Sequence, residues 1–469
     1  MSNPRYHINN LWLESGGQYY LYSVCLSKAE VLELSGEWPL AEELFRKNLE
    51  YAKLAGAKRQ TAESQVKLFR IMRYMGKSQD PLASLNEALA LYTEIGDQTG
   101  IRQVLNNIGL MHLYQGRQQK AEECFNDLIA RSQRFGDNKH LISGLGNLSQ
   151  LHMNRGDFEK ALDCLKQCCE VSLKENDQAF LIISYGTIGT VYFFQNKLDL
   201  AYQYYKKQLD LSQSLGDLAN KSVAVGNMGN IFYRQGKFKE AVDCYQTKLE
   251  ISQKMDYKNG ISQSYGNIGL VYTDEGRFRE SKECFEKQLE VSEIAGDSEG
   301  LEGGNCGLGA MYVKTGEYGK ARQCFLKAVE IDLEAGYTKE LGTNYFQLAE
   351  ACFKDGDSPK ALEYLEKAKH SARENEEEDI LAKARILEVK LAALNGRSAA
   401  EKMFLGLLDD QPGKILEALA CYELYGLNGN KEQQARAISL CRELYGQTLD
   451  YDYKRMLNEL ENSIVKKEQ

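Results

Sequence analysis

Gly36, Gly76, Gly116, Gly156, Gly236, Gly276, Gly316, Gly356 and Gly396 share one 40-residue frame, and Asn196 fills its only slot without glycine. Asn is the usual substitute where the backbone needs a positive φ. Five residues after the glycine comes an alanine column: Ala41, Ala121, Ala161, Ala201, Ala241, Ala321 and Ala361. Four residues further on stands an aromatic residue or leucine: Phe45, Leu85, Phe125, Leu165, Tyr205, Tyr245, Phe285, Phe325 and Leu365. A frame held this long without an insertion demands a stack of equivalent units.

Each period reads as two amphipathic helices. In one of them Val225, Met228, Gly229 and Phe232 follow the i, i+3, i+4, i+7 pattern of a single face. The turn "RQGKF" follows, and Ala241, Tyr245, Leu249 and Ser252 line one side of the second helix. "GD" pairs close several units (Gly96-Asp97, Gly136-Asp137, Gly216-Asp217, Gly296-Asp297). The glycine is suited to stop one helix and the aspartate to cap the next. Neither helix has enough apolar face to stand alone, so neighbours must stack.

Composition narrows the function. The 469-residue chain carries 43% hydrophobic and 27% charged residues with only five prolines, a globular profile without long disordered linkers. A formal net charge of −9 lacks the basic stripe that nucleic acid requires. No apolar run approaches the roughly 18 residues of a membrane span, and "MSNPRYHINN" has no signal-peptide profile. The expected partners therefore include neither nucleic acid nor membrane, and the expected location is cytoplasmic.

The columns resemble the tetratricopeptide repeat (TPR). Their "GNxG…Y…G.F..A" wording and 40-residue period are similar to the long-repeat subgroup of LGN/Pins adaptors, rapsyn and kinesin light chains. The resemblance implies an all-α fold: an α-solenoid, a right-handed TPR superhelix of about eleven helix-turn-helix units. The first helix of each pair would line a concave groove. The expected organisation is a helical lead-in over 1–21, nine regular units over 22–373 and an acidic loop, "ENEEED", over 374–379. Two degenerate units over 380–446 and a C-terminal capping helix and tail over 447–469 complete it.

Two glycine columns interrupt the first helices. Gly109, Gly189, Gly229, Gly269 and Gly309 are expected where the two helices of a pair press together, opposite the alanine column. Gly146, Gly186, Gly226 and Gly266 fit either of two roles: opening the groove wall to a ligand backbone, or tightening the stack.

The asparagines carry the most informative chemistry. Asn107, Asn147, Asn227 and Asn267 form a column, with Asn230 on the same face. Asn is a mediocre helix former, so its recurrence needs a reason. One amide offers a donor and an acceptor, which matches the backbone of an extended peptide; the resemblance implies peptide contact at this column. The other role open to these amides is bracing adjacent repeats. Around them the expected lining includes Tyr114, Gln150, Met153, Thr187, Thr190, Phe193, Phe194, Tyr233, Arg234 and Gln263. Amides beside aromatics suit a protein or peptide ligand with apolar anchors. A clamp for an acidic C-terminus would place Lys before the Asn, where Gln103, Ser143, Val223 and Gln263 stand instead.

Other chemistry is missing. Of the twelve cysteines, Cys124, Cys164, Cys244, Cys284 and Cys324 form a column too widely spaced for disulfides. They read as packing residues; no metal or other cofactor is implied. There is no GxxxxGK, GxSxG or HExxH motif, and "GGNCGLG" (Gly303–Gly309) falls within a helix. The chain is therefore expected not to be an enzyme. Its expected function is a non-catalytic scaffold holding a peptide or protein in the groove. The alternative, from the resemblance, is a sensor arm or accessory subunit gating a bacterial nucleotide cyclase, STAND ATPase or CHAT caspase-like protease.

Overall fold

The computed structural model describes residues 18–35, 37–74, 81–336, 340–392, 396–409, 412–448 and 451–468. Gly36, Gly76 and most of the 1–21 lead-in lie outside these residues. Among the described residues all regular structure is helical, and 23 helices make eleven successive pairs and one terminal helix. The fold is an all-α solenoid.

Contacts divide the chain into two units, Met1–Val191 and Tyr192–Gln469. The first holds α1 (Gln18–Leu34), α2 (Trp38–Leu54), α3 (Lys58–Tyr74), α4 (Pro81–Glu94) and α5 (Gln98–Tyr114). It continues with α6 (Gln118–Phe135), α7 (Asn138–Asn154), α8 (Phe158–Lys174) and most of α9 (Gln178–Phe194). The second unit begins within α9 and holds α10 (Leu198–Leu215), α11 (Leu218–Arg234), α12 (Phe238–Lys254), α13 (Lys258–Asp274) and α14 (Phe278–Ala295). Then come α15 (Ser298–Thr315), α16 (Tyr318–Ala335), α17 (Leu341–Lys354), α18 (Ser358–Glu374) and α19 (Glu378–Ala392). Last are α20 (Arg397–Asp409), α21 (Lys414–Asn428), α22 (Lys431–Thr448) and α23 (Tyr451–Glu468).

The turns obey the frame. Gly116, Gly156, Gly236, Gly276, Gly316 and Gly356 have φ between 70° and 83°, and Asn196 takes their place with φ 58°. A second left-handed frame runs half a period away, through Gly56, Gly96, Gly136, Gly216, Gly296 and Gly336. There Asn176, Asp256 and Glu376 accept φ of 53°, 51° and 59° without being glycine. The aspartates of the "GD" pairs cap as expected: Asp97 accepts from the backbone N–H of Thr99 and Gly100, and Asp297 from that of Gly300. The acidic run is not one loop. Glu374 ends α18, Asn375–Glu377 form the turn, and Glu378 and Asp379 open α19, where their charge suits the helix N-terminus.

Cores are small and successive. In the first unit Leu85, Val104, Ile108 and Leu128 share one cluster, and Phe125, Leu145, Leu148 and Cys168 the next. In the second, Tyr245 packs with Ile268 and Val271, and Phe285 with Leu308 and Met311. Each cluster joins a pair to its successor, which is how a solenoid distributes its stability.

The first glycine column faces rings rather than the alanines opposite which it was expected. A Cβ on Gly109 would stand 2.5 Å from Phe125, on Gly229 2.7 Å from Tyr245, on Gly269 2.9 Å from Phe285 and on Gly309 2.6 Å from Phe325. The ring occupies the space the side chain lacks. "GGNCGLG" follows the same logic inside the continuous helix α15. Cβ atoms on Gly304 and Gly307 would meet Leu289 at 2.7 Å and Phe285 at 2.2 Å, so these glycines bring α15 close to α14.

A buried serine column, Ser132, Ser172, Ser212, Ser252 and Ser292, runs along the second helices. Ser132 and Ser212 donate back to the carbonyls of Leu128 and Gln208 at 2.7 Å, and Ser292 meets the Ser262 hydroxyl at 2.6 Å. The next slot holds Asp332, which is 1% exposed. Its Oδ2 accepts from Asn344 Nδ2 at 2.7 Å. Burial pushes the carboxyl up to about 6 against the pull of that hydrogen bond, and Glu302 and Glu340 add to the rise.

Candidate partner-binding groove

In the first unit two of the expected groove residues spend their amides on other side chains of the repeats. Asn147 Nδ2 donates to Asn106 Oδ1 at 2.7 Å, a brace between α7 and α5. Gln150 is exposed and spends its amide on Asn154, one turn along its own helix, at 2.9 Å. Met153 is half-buried. Asn107 lines a cavity of about 230 Å³ with Gln103, Asn106, Lys139 and His140. His152 is buried, and desolvation pushes its imidazole down.

The second unit concentrates more of them. Phe193 and Phe194 end α9 with their rings edge to face, 6.1 Å between centroids. Phe194 is exposed, while Phe193 carries the Arg234 guanidinium over its face at 4.2 Å. Asn230 Oδ1 accepts from the Tyr245 hydroxyl at 2.8 Å, so its orientation is set by the second helix of its own pair. Burial pushes the Tyr245 phenol up, which keeps it a neutral donor. Tyr233 donates to Asp274 Oδ2 at 2.6 Å, and Lys314 pairs with Asp274 Oδ1 at 2.6 Å. Asn227 and Asn267 are half-buried, and among the described residues neither side chain makes a hydrogen bond.

The second glycine column divides. Nothing lies within 4 Å of a Cβ placed on Gly146. A Cβ on Gly226 would meet Lys248 Cδ at 2.9 Å, and one on Gly266 would meet Gln288 Oε1 at 2.7 Å. Lys248, from α12, thus passes over Gly226, and its Nζ donates to Gln263 Oε1 on α13 at 3.0 Å. Desolvation along this path pushes the lysine down.

Five of the expected residues, Phe193, Asn230, Tyr233, Arg234 and Asn267, converge on one cavity of about 770 Å³. Asn227, Phe194 and Gln263 do not line it. Leu270 and Asp274 do, and both were legible, since they follow Asn267 by three and seven positions on one helical face. Tyr445, Lys454 and Asn458 complete it from α22 and α23, and no sequence signal marks them. The end of α22 is held there: Asn196 Nδ2 donates to the Gly446 carbonyl at 2.9 Å. Among the described residues no group of three or more His, Cys, Asp or Glu is placed to hold a metal, and no helix is long and apolar enough to cross a membrane.

Tetratricopeptide-repeat family models match residues 96–174, 180–254 and 301–373, and a second model of the same description matches 262–294. Together they span more than half of the sequence. The chain belongs to the tetratricopeptide-repeat family. Among curated proteins nothing matches it. Solved TPR structures share the solenoid. The apo form of RapI aligns over 78% of this chain and 99% of its own at 16% identity, with a TM-score of 0.52. Aspartyl phosphate phosphatase F from Bacillus subtilis aligns over 75% and 93% at 13% identity, TM-score 0.50. A signal-transduction ATPase with a TPR sensor from Pyrococcus horikoshii aligns over 72% and 54% at 16% identity, TM-score 0.46. At these identities the likeness to the first two is one of fold.

Proposed function

We propose that this TPR chain is a non-catalytic interaction scaffold that holds an extended segment of a protein partner against α11 and α13. The observation that carries this reading is the unspent amide of Asn267. It lines a cavity walled by Phe193, Tyr233 and Leu270, and it makes no side-chain hydrogen bond to the described residues. A peptide unit presents one N–H and one C=O, and a single Asn side chain answers both. Aromatic walls then supply the apolar contact that dominates such interfaces.

The reading is tested by affinity capture from the native lysate, comparing wild type with Asn227→Ala plus Asn267→Ala. Both amides are half-buried and make no side-chain hydrogen bond among the described residues, so the double variant should keep its stability within about 0.5 kcal/mol. The expected result is a partner captured by wild type and lost by the variant at unchanged helicity and Tm. Retention by both proteins, or a large fall in Tm, would overturn it.

A further inference from the structure

Two cations stand among the described residues that line the cavity on α11 and α13, and one of them comes from outside the repeat columns. They are Arg234 and Lys454, and Asp274 is the one carboxylate among the described lining residues. Asp274 already answers the Tyr233 hydroxyl and the Lys314 ammonium, each at 2.6 Å. Lys454 has no carboxylate partner among the described residues. Its Nζ stands 5.9 Å from the centre of the Tyr445 ring and beside the Gly236 turn, where a Cβ would lie 3.5 Å from it. The whole chain carries a formal net charge of −9, so a lysine without a described carboxylate partner runs against the prevailing sign.

Lys454 also comes from outside the repeat face. It sits on α23, whose residues Tyr453 and Met456 are buried in the core with Leu440 and Leu444 of α22. Lys454 and Asn458, one turn apart, are left to face the cavity. The last two helices thus supply an outer wall bearing a cation, opposite an inner wall of amides and aromatic rings.

We propose that this cavity selects a carboxylate-bearing peptide segment, in which the carboxylate pairs with Lys454 beside Arg234 and an apolar neighbour packs on Phe193 and Tyr233. The selection rests on the groove reading above and adds two claims to it: the ligand is acidic at one position, and α23 is part of the site. A carboxylate paired in a partly enclosed site gains a charge-assisted hydrogen bond that a neutral amide of the same shape lacks. The carboxylate comes from an Asp or Glu side chain or from a peptide C-terminus, and the two sources share this chemistry.

The test uses the full chain and fluorescein-labelled nonapeptide pools of Ala, Leu, Phe, Tyr, Ser and Asn, with the central position fixed as Asp, Glu, Asn, Gln or Lys. One further Asn-centred pool has a free C-terminus, and all the others are amidated. Fluorescence anisotropy reads the affinity of each pool for wild type, Lys454→Ala, Lys454→Glu and Asn267→Ala. The expected result is binding about tenfold tighter for the Asp and Glu pools than for their amide isosteres. Lys454→Ala should erase that gap, and Lys454→Glu should shift preference to the Lys pool. A gain confined to the free-carboxylate pool supports the proposal with a C-terminus as the ligand group. Equal binding of acid and amide pools, lost in Asn267→Ala, overturns the charge selection and leaves the groove reading standing. Binding of no pool overturns both.

Discussion

Asn196 donates its side-chain amide to the carbonyl of Gly446, 2.9 Å away and 250 positions along the chain. Helix contacts in the solenoid run mainly between neighbours, whereas this bond ties a mid-chain turn to the end of α22. Asn196 also occupies a left-handed turn, with φ 58°. Asn196→Gly therefore separates two effects: it keeps the turn and deletes the clamp. The expected outcome is faster amide exchange in peptides from 431–468, by up to about tenfold for one exposed hydrogen bond, with exchange in α11–α13 unchanged. Hydrogen-exchange mass spectrometry checks it, and uniform acceleration along the chain would contradict it.

Two glycines in equivalent helices should respond oppositely to alanine. Gly229 leaves its space to the Tyr245 ring, which a Cβ would approach to 2.7 Å, and Gly146 has nothing within 4 Å. Gly229→Ala should cost about 1–3 kcal/mol through overpacking. Gly146→Ala should add about 0.5–1 kcal/mol by removing glycine's entropy from a helix interior. Urea unfolding of the two variants gives the comparison, and a destabilising Gly146→Ala would mean that something closes over that face.

Asp332 makes stability depend on pH. Its carboxyl titrates near 6 in the fold, pushed up first by burial, and near 4 when unfolded. Between those values the folded chain binds a proton that the unfolded chain does not, so its contribution is fully present below pH 4 and lost as pH rises through 6. Asp332→Asn keeps the shape and an acceptor for Asn344 but never charges. The variant should melt higher than wild type at pH 7.5, by roughly 1–3 kcal/mol for relieving a buried unsatisfied charge. The gap should vanish near pH 4. A gap constant from pH 4 to 8 would assign the effect to packing.

Glu376 sits at φ 59° in a slot that glycine fills in most other units. Glu376→Gly should relieve roughly 1 kcal/mol of left-handed strain, partly offset by glycine's greater unfolded-state entropy. A small rise in the midpoint of thermal unfolding, larger than that of Glu374→Gly, is the expected reading. Glu374 is helical, so glycine there should lower the midpoint.

The sequence shows the turns because their cause is local: a positive φ at Gly116 or Asn196 restricts the residue itself, and the restriction recurs every 40 positions. It shows Asn230, Tyr233 and Asn267 for a related reason, since helical spacing places them on one face. It shows less well what each amide does there. Asn147 braces Asn106 whereas Asn267 makes no side-chain hydrogen bond among the described residues, and both stand in the same column; the difference lies in the neighbour across the gap. Lys454 was invisible for a stronger reason. Its place in the cavity lining depends on a helix far along the chain returning to α11 and α13, which no single period encodes. Asp332 was legible in principle as a charge in a serine column, but that column shows only once burial identifies its members.

Gly226 is a window. Lys248 belongs to an outer helix, yet its ammonium arrives at Gln263 on the inner row because no side chain at Gly226 blocks the way. The inner surface is therefore written by two helices at this point, and only one of them belongs to that surface. On the groove function proposed above, a change at position 248 would alter the charge met by a ligand while every inner-row residue stayed the same. Two solenoids with identical groove-facing helices would then sort different partners, and a comparison confined to those helices would record them as equivalent.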